Sequence, residues 1–197
     1  MRADAQRNLD KIVQAAVEVV AERGVNPPMK AIAERAGVGV GTLYRRFPDH
    51  SALLSAVARH HVESISEAIA DATESSDDAW AAIRTIVDWV TSPGRGALAA
   101  ALSELPDGML DDSEELTGEE HQWVAQLSSL VRQAQSDGDM RTDVNADDIM
   151  NLLNVFTCHP NALPAPVSAD PTRYLHIMLD GMQDASATPI RRKRATG

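Results

Sequence analysis

Apolar residues recur along this chain three and four apart, the spacing of one face of a helix, and the repeats are interrupted at Gly, Pro, Asp and Asn. Leu9, Ile12, Val13, Ala16, Val17 and Val20 form a full stripe that predicts a helix over 7–24, ended by Gly24. Asn26-Pro27-Pro28 forbids its continuation. Residues 32–47 then predict two short helices meeting at a tight turn: Ile32, Ala33 and Ala36 share one face, Gly37 stops that helix, and Leu43 and Phe47 resume the pattern four apart. This is a helix-turn-helix signature. Gly37 is expected there for its positive φ and because a side chain would crowd the second helix, while Val38 plugs the angle between the two. Pro48 breaks the second helix, and Asp49 or Ser51 can cap the next one. That helix is predicted over about 49–74. Its stripe of Leu53, Leu54, Val57, His61, Ile65, Ala68 and Ile69 begins inside the helix-turn-helix unit and runs beyond it, so one rigid helix links two parts of the chain.

Polar punctuation at 74–78 opens a helix with Trp80, Ile83, Val87 and Val90 on one face and Ala82, Ile86 and Trp89 on another. Its later half is expected to be surrounded by protein. Pro93-Gly94 breaks it, a short Ala-rich helix covers 95–105, and Pro106-Asp107-Gly108 leads into an acidic segment. Thr117-Gly118-Glu119-Glu120 has the capping-box pattern ahead of Trp123, Leu127, Leu130, Val131 and Ala134. The residues from 145 to 148 cap a helix carrying Ile149, Leu152, Leu153 and Phe156, which His159-Pro160 ends; a Pro-rich loop reaches 169, and Asp170-Pro171 opens the last helix. The predicted fold is therefore all-α, with about nine helices. Residues 1–50 form a three-helix helix-turn-helix domain, the long helix joins it to a helical domain over 51–186, and 187–197 is a basic, solvated tail.

The second helix of the motif shows small residues near its start (Gly39, Val40, Gly41 and Thr42) and aromatic or basic ones further on (Tyr44, Arg45 and Arg46). Such a helix can press its N-terminal end into a DNA major groove while later residues hold phosphates. Val40, Thr42 and Arg45 are expected at base edges, and Tyr44 and Arg46 at phosphates. Residues 32–47, with His50, Ala52 and Leu53 after them and 7–24 before them, resemble the DNA-binding domain of TetR-family transcriptional repressors. The resemblance covers about a quarter of the chain, and the remainder matches only in helical layout. One departure stands at Pro28, where the family usually has a Thr that caps the helix and often touches a phosphate. His50 occupies a place where the family often has Lys, and is expected to add a phosphate contact. The resemblance implies two copies that place their recognition helices in successive major grooves of a palindromic operator, about 34 Å apart, and a ligand that changes this spacing and releases the DNA.

Charge distribution agrees with a DNA-binding N-terminal end. The net charge is −11, but residues 1–61 hold nine Lys or Arg against six Asp or Glu, and 62–197 hold nine against twenty-three. A polyanion is attracted to one end only, and the acidic remainder orients the molecule. No run approaches a membrane span or the apolar core of a signal peptide, and a single cysteine, Cys158, suits a reducing compartment, so a cytoplasmic protein is expected.

Other chemistry finds no pattern. Gly37, Gly39 and Gly41 do not fit the dinucleotide fingerprint, Cys158 and His159 point apart as helix neighbours, and His60, His61 and Glu63 do not share a face. Catalytic residues, cofactor and metal are all expected to be none. A small-molecule pocket is expected where Trp89, Met109, Trp123, Leu127 and Phe156 supply large, adaptable side chains. No Arg or Lys is obvious among those inward positions, which predicts a neutral or cationic, mostly hydrophobic effector. The last two long helices carry more apolar residues than one packing face needs: Ile149, Met150, Leu152, Leu153, Val155 and Phe156 on one, and Tyr174, Leu175, Ile177, Met178, Leu179 and Met182 on the other. A homodimer is expected through Ile149, Leu152, Leu153, Tyr174, Leu175, Met178, Leu179 and Met182, the two helices meeting their symmetry mates as a four-helix bundle. The expected function is a ligand-released repressor, with a constitutive helix-turn-helix protein, or a helical enzyme or carrier, as the competing readings.

Overall fold

In the computed structural model, which describes residues 2–105, 114–159 and 162–183, ten helices succeed one another with no strand among those residues. They are α1 (Arg2–Arg23), α2 (Met29–Ala36), α3 (Val40–Arg46), α4 (His50–Ser75), α5 (Ala79–Val90), α6 (Pro93–Ser103), α7 (Glu114–Asp137), α8 (Ala146–Cys158), α9 (Ala165–Ala169) and α10 (Pro171–Gln183). The ends fall where a side chain or a special backbone can satisfy the orphan groups of a helix terminus. Asp49 accepts from the Ala52 amide at 2.8 Å, and Asp78 from the Ala81 amide at 2.7 Å. Asn145 and Asp148 form a full capping box at the start of α8. Gly37 closes α2 at φ 67°, a left-handed backbone that glycine adopts without strain. Crowding is not its reason, because a Cβ there would meet no atom within 4 Å.

Four boundaries differ from expectation. α1 begins at Arg2 instead of near residue 7. α6 begins at Pro93 instead of near residue 95, with the proline in its first turn, where its missing N–H leaves no bond unmade. Thr117 lies inside α7, which already starts at Glu114, so the 117–120 pattern is not a cap. One turn of helix, α9, forms in the segment expected to be loop, which brings the described count to ten.

Two cores result. The first gathers Ile12, Ala16 and Val20 of α1, Ile32 of α2, Leu43 of α3 and Leu53 and Val57 of α4, and takes in Leu98 and Ala101 of α6. The second gathers Ile69 and Ala72 of α4, Ile83, Ile86 and Val87 of α5, Leu127 and Val131 of α7, Ile149 and Phe156 of α8, and Leu175 and Leu179 of α10. α4 belongs to both. The first core therefore does not stop at residue 50: it includes the first turns of α4, and α6 returns from the distal half of the chain to pack on α1.

Polar ties bind α10 into the distal half. Along antiparallel α5 and α10, Arg84 meets Asp180 at 2.6 Å, Asp88 meets His176 at 2.8 Å, and Thr172 donates to Thr91 at 3.0 Å. His176 Nε2 lies close to the Asp88 carboxylate without making a hydrogen bond to it. Arg141, 8% exposed, forks onto both carboxylate oxygens of Asp143 at 2.6 and 2.9 Å, donates to the Gly181 carbonyl at 3.3 Å, and its backbone amide donates to Met182 at 2.9 Å.

Candidate nucleic-acid interface

α3 is held by its buried side. Leu43 is fully buried and Phe47 nearly so, which fixes the opposite face outward. That face presents Val40 at 37% and Tyr44 at 49% exposure, together with exposed Gly41, Arg45 and Arg46. Gly39 precedes the helix in extended conformation and caps no amide with a side chain. The start of α3 is thus small, and its backbone can approach a surface closely. Thr42 is half-buried, and its hydroxyl accepts from Arg45 Nη2 at 3.2 Å. α2 is held on α1 by Arg35, whose guanidinium meets Glu18 at 3.0 Å and Glu22 at 2.8 Å; the hydrogen bond from Arg35 lowers the carboxyl pKa of Glu22.

His50 differs from expectation. It is half-buried at the start of α4, and its Nε2 lies 2.8 Å from the Pro27 carbonyl, which can only accept. The proton expected to meet a phosphate instead ties α4 to the loop ahead of α2. Pro28 acts as the N-cap of α2 without any side-chain bond, as its chemistry requires.

The structure also places residues beside α3 that the sequence pattern did not single out. A cleft of about 510 Å³ between α1 and α3 is lined by Gln6, Asn8 and Leu9 on one side and by Thr42, Arg45 and Arg46 on the other. Gln6 lies in the extra turns by which α1 exceeds its apolar stripe. No periodicity marks those turns; polar residues good at helix formation were the available signal.

The residues assigned to an effector divide. Leu127 and Phe156 are 2% and 5% exposed, in the second core, with Trp123 packed against it. Trp89 is instead covered by the Arg95 guanidinium, 3.9 Å from its ring centroid, so a cation does reach this region. Met109 lies outside the described residues, as does the basic tail. Of the eight residues assigned to a dimer interface, Ile149, Leu175, Leu179 and Met182 are at most 9% exposed and belong to the core of their own protomer. Leu152, Leu153 and Tyr174 are half-buried against that core, and Met178 is 39% exposed. Val155 and Ile177, at 42% and 55%, complete the exposed apolar set on these helices. The reason is helical phase: 175, 179 and 182 point one way from α10, 177 points the opposite way, and 178 lies on the flank of the buried face.

Comparison with known proteins decides the family. Residues 12–57 match the family described as bacterial regulatory proteins, tetR family, and residues 77–184, more than half the chain, match the transcriptional regulator SbtR-like C-terminal domain. The chain belongs to the TetR family. A TetR transcription regulatory protein from Mycobacterium vanbaalenii is 32% identical, with a TM-score of 0.68 over 92% of this chain and 98% of that one. The TetR transcriptional regulator SCO0520 from Streptomyces coelicolor is 28% identical, with a TM-score of 0.63 over 90% and 99%. The uncharacterized HTH-type transcriptional regulator YvdT of Bacillus subtilis is 24% identical over 153 residues, 73% of this chain and 77% of its own length. This TetR-family protein is a DNA-binding transcriptional regulator and not an enzyme. None of its described helices is long and apolar enough to cross a membrane.

Proposed function

We propose that this TetR-family protein is a ligand-responsive repressor of the cytoplasm: two copies hold a palindromic operator, and a small hydrophobic molecule bound in the distal half releases them. The observation that carries the reading is the sharing of helices between the two cores. α4 runs through both, and α6, only two residues beyond α5, sends Leu98 and Ala101 into the first core. A helix curves only gently without a kink and transmits most of a shift at one end to the other, so displacement in the second core moves the platform of α3.

On DNA, the small first turn of α3 enters the groove, Val40, Thr42 and Arg45 meet base edges, and Tyr44 and Arg46 hold phosphates. Gln6 and Asn8 flank these contacts from α1. The homodimer uses the outward faces of α8 and α10, where Val155, Ile177 and Met178 are exposed beside half-buried Leu152, Leu153 and Tyr174. Such a face is covered by its own symmetry mate in a four-helix bundle.

Selection of bound duplexes from a random pool tests the reading. The expected product is a palindrome whose half-sites lie about one helical turn or a multiple of it apart. Sedimentation of the free protein at micromolar concentration is expected to give a dimer, and a monomer there overturns the interface. Titration of the protein–duplex complex with apolar compounds is expected to release DNA; tight binding that no compound weakens overturns effector control.

A further inference from the structure

The region between α4, α5 and α6 contains a polar corner that an apolar pocket does not explain. Arg95, in the first turn of α6, lays its guanidinium face on the Trp89 ring of α5 at 3.9 Å. Stacking of this kind leaves the N–H edge of a guanidinium directed away from the ring, and among the described residues that edge is not used in an ion pair or a side-chain hydrogen bond. The charge of Arg95 reaches His61 of α4, a half-buried imidazole on the inward stripe. Burial, then the neighbouring charges of His60 and Arg95, push the His61 pKa down to about 4, so at neutral pH it is an uncharged ring with one N–H to donate.

A second observation lies on α7, which packs against both α4 and α5. Trp123 Nε1 and Gln126 Oε1 are buried there without a hydrogen-bond partner. They are three residues apart and so share one face of the helix. Buried polar groups are satisfied in nearly all folded proteins, and those that are not await a water or a ligand. Both sit in the half of the molecule that presents Trp123, Leu127 and Phe156 as apolar surroundings.

We infer that this corner binds the acidic head of an amphipathic effector, a carboxylate held by the Arg95 edge and the His61 ring with its apolar body running past Trp89 into the second core. The inference rests on the effector control proposed above, and names its ligand class. Donors decide the sign: Arg95, His61 and Trp123 all offer N–H groups, and a carboxylate is the acceptor that a guanidinium edge engages through two parallel bonds. It also reverses the neutral or cationic effector that the inward residues suggested, since Arg95 brings a cation to the Trp89 ring. Trp123 Nε1 and Gln126 Oε1 are left for a hydroxyl, carbonyl or amide further along the same molecule.

Isothermal titration of the full chain with decanoate, decanol and decylamine, each below its aggregation concentration, tests this directly, because the three probes share one apolar body. Decanoate is expected to bind about tenfold or more tightly than decanol, and decylamine more weakly than either. Arg95→Gln is expected to bring decanoate to the level of decanol, while Arg95→Lys keeps part of the preference because it keeps the charge and loses the fork. Arg95 is exposed, so these variants fold, and circular dichroism checks it. His61→Gln, read in the same way, is the second variant. Equal affinity for the three head groups, or a carboxylate preference that survives in both Arg95→Gln and His61→Gln, overturns the inference and leaves effector control standing. Binding of none of the three overturns it too, and effector control then falls separately, only if no apolar compound releases operator DNA.

Discussion

Around α3 and around α5 the chain buries side chains equally well, yet it closes the two cores with different kinds of contact. Near α3 the closures are short: Gly37 turns back onto Ala33 and Glu34, Asp49 caps its own helix three residues on, and the Arg35 bridges reach across 13 and 17 residues. Near α5 they are long. Thr91 and Thr172 are 81 residues apart, Arg84 and Asp180 are 96 apart, and Arg141 reaches the Gly181 carbonyl across 40. Closure over long separations carries a larger entropy cost and leaves each contact dependent on the rest of the assembly. Apart from the packing of α6 on α1, the DNA-facing end is consequently set by local rules, and the distal end is the one in which the proposed effector control would act.

The largest expected effects come from the two cores themselves. Leu43 and Ile83 are both fully buried, and replacement of either by Ala is expected to cost about 2–5 kcal/mol in urea unfolding. Because α4 and α6 join the cores, both variants should shift a single transition. Two separate transitions, each moved by one variant, would break the link between the halves on which effector control depends.

Arg141→Ala tests the long-range closure. It leaves the Asp143 carboxylate without its fork and the Gly181 carbonyl without its donor, and is expected to cost about 3 kcal/mol, with loss of α10 docking. Faster hydrogen exchange confined to α10 and the 138–145 connection would sharpen the contrast; a cost near zero would remove it.

His61 makes the distal half sensitive to acid. Its imidazole titrates near 6.5 when unfolded and near 4 when folded, so between those values the unfolded chain binds more protons. Stability is therefore complete above the upper value and falls as pH is lowered through the window, by on the order of 3 kcal/mol. Comparing urea midpoints near neutrality and near the lower end should show this slope in the parent and a shallower one in His61→Gln; parallel slopes exclude His61 as its source.

Arg45→Ala is expected to weaken operator binding by about 1–3 kcal/mol and to relax sequence preference, while Tyr44→Ala weakens all duplexes alike. Gel-shift titrations that find both variants as tight as the parent would take DNA recognition away from α3. Smallest of all are the surface closures: Asp49→Ala is expected to cost about 1 kcal/mol through the lost cap, and Arg84→Ala about 0–1 kcal/mol, because its bridge to Asp180 is largely exposed.

Within the N-terminal part, the residue pattern by itself determined the architecture. Gly37, Pro48 and Asp49 act within one turn of their own position, so their consequences are readable in order along the chain. Family and DNA-binding role followed from the same stretch, because the motif needs a left-handed glycine and two apolar anchors at fixed spacing, with Leu43 and Phe47 buried as that spacing requires. In the second half, helices were equally legible, but their partners were not. Ile149, Leu175, Leu179 and Met182 carried the apolar signal of a dimer face and are core, while Val155 and Ile177 carry the exposed surface. Apolar character states that a residue leaves water, not which neighbour takes it out, and only packing chooses between a helix of the same chain and a symmetry mate. The same limit hid His50 on the Pro27 carbonyl, Arg95 on Trp89 and α6 against α1: each joins groups distant in sequence, through a contact that exists only after the helices have been placed.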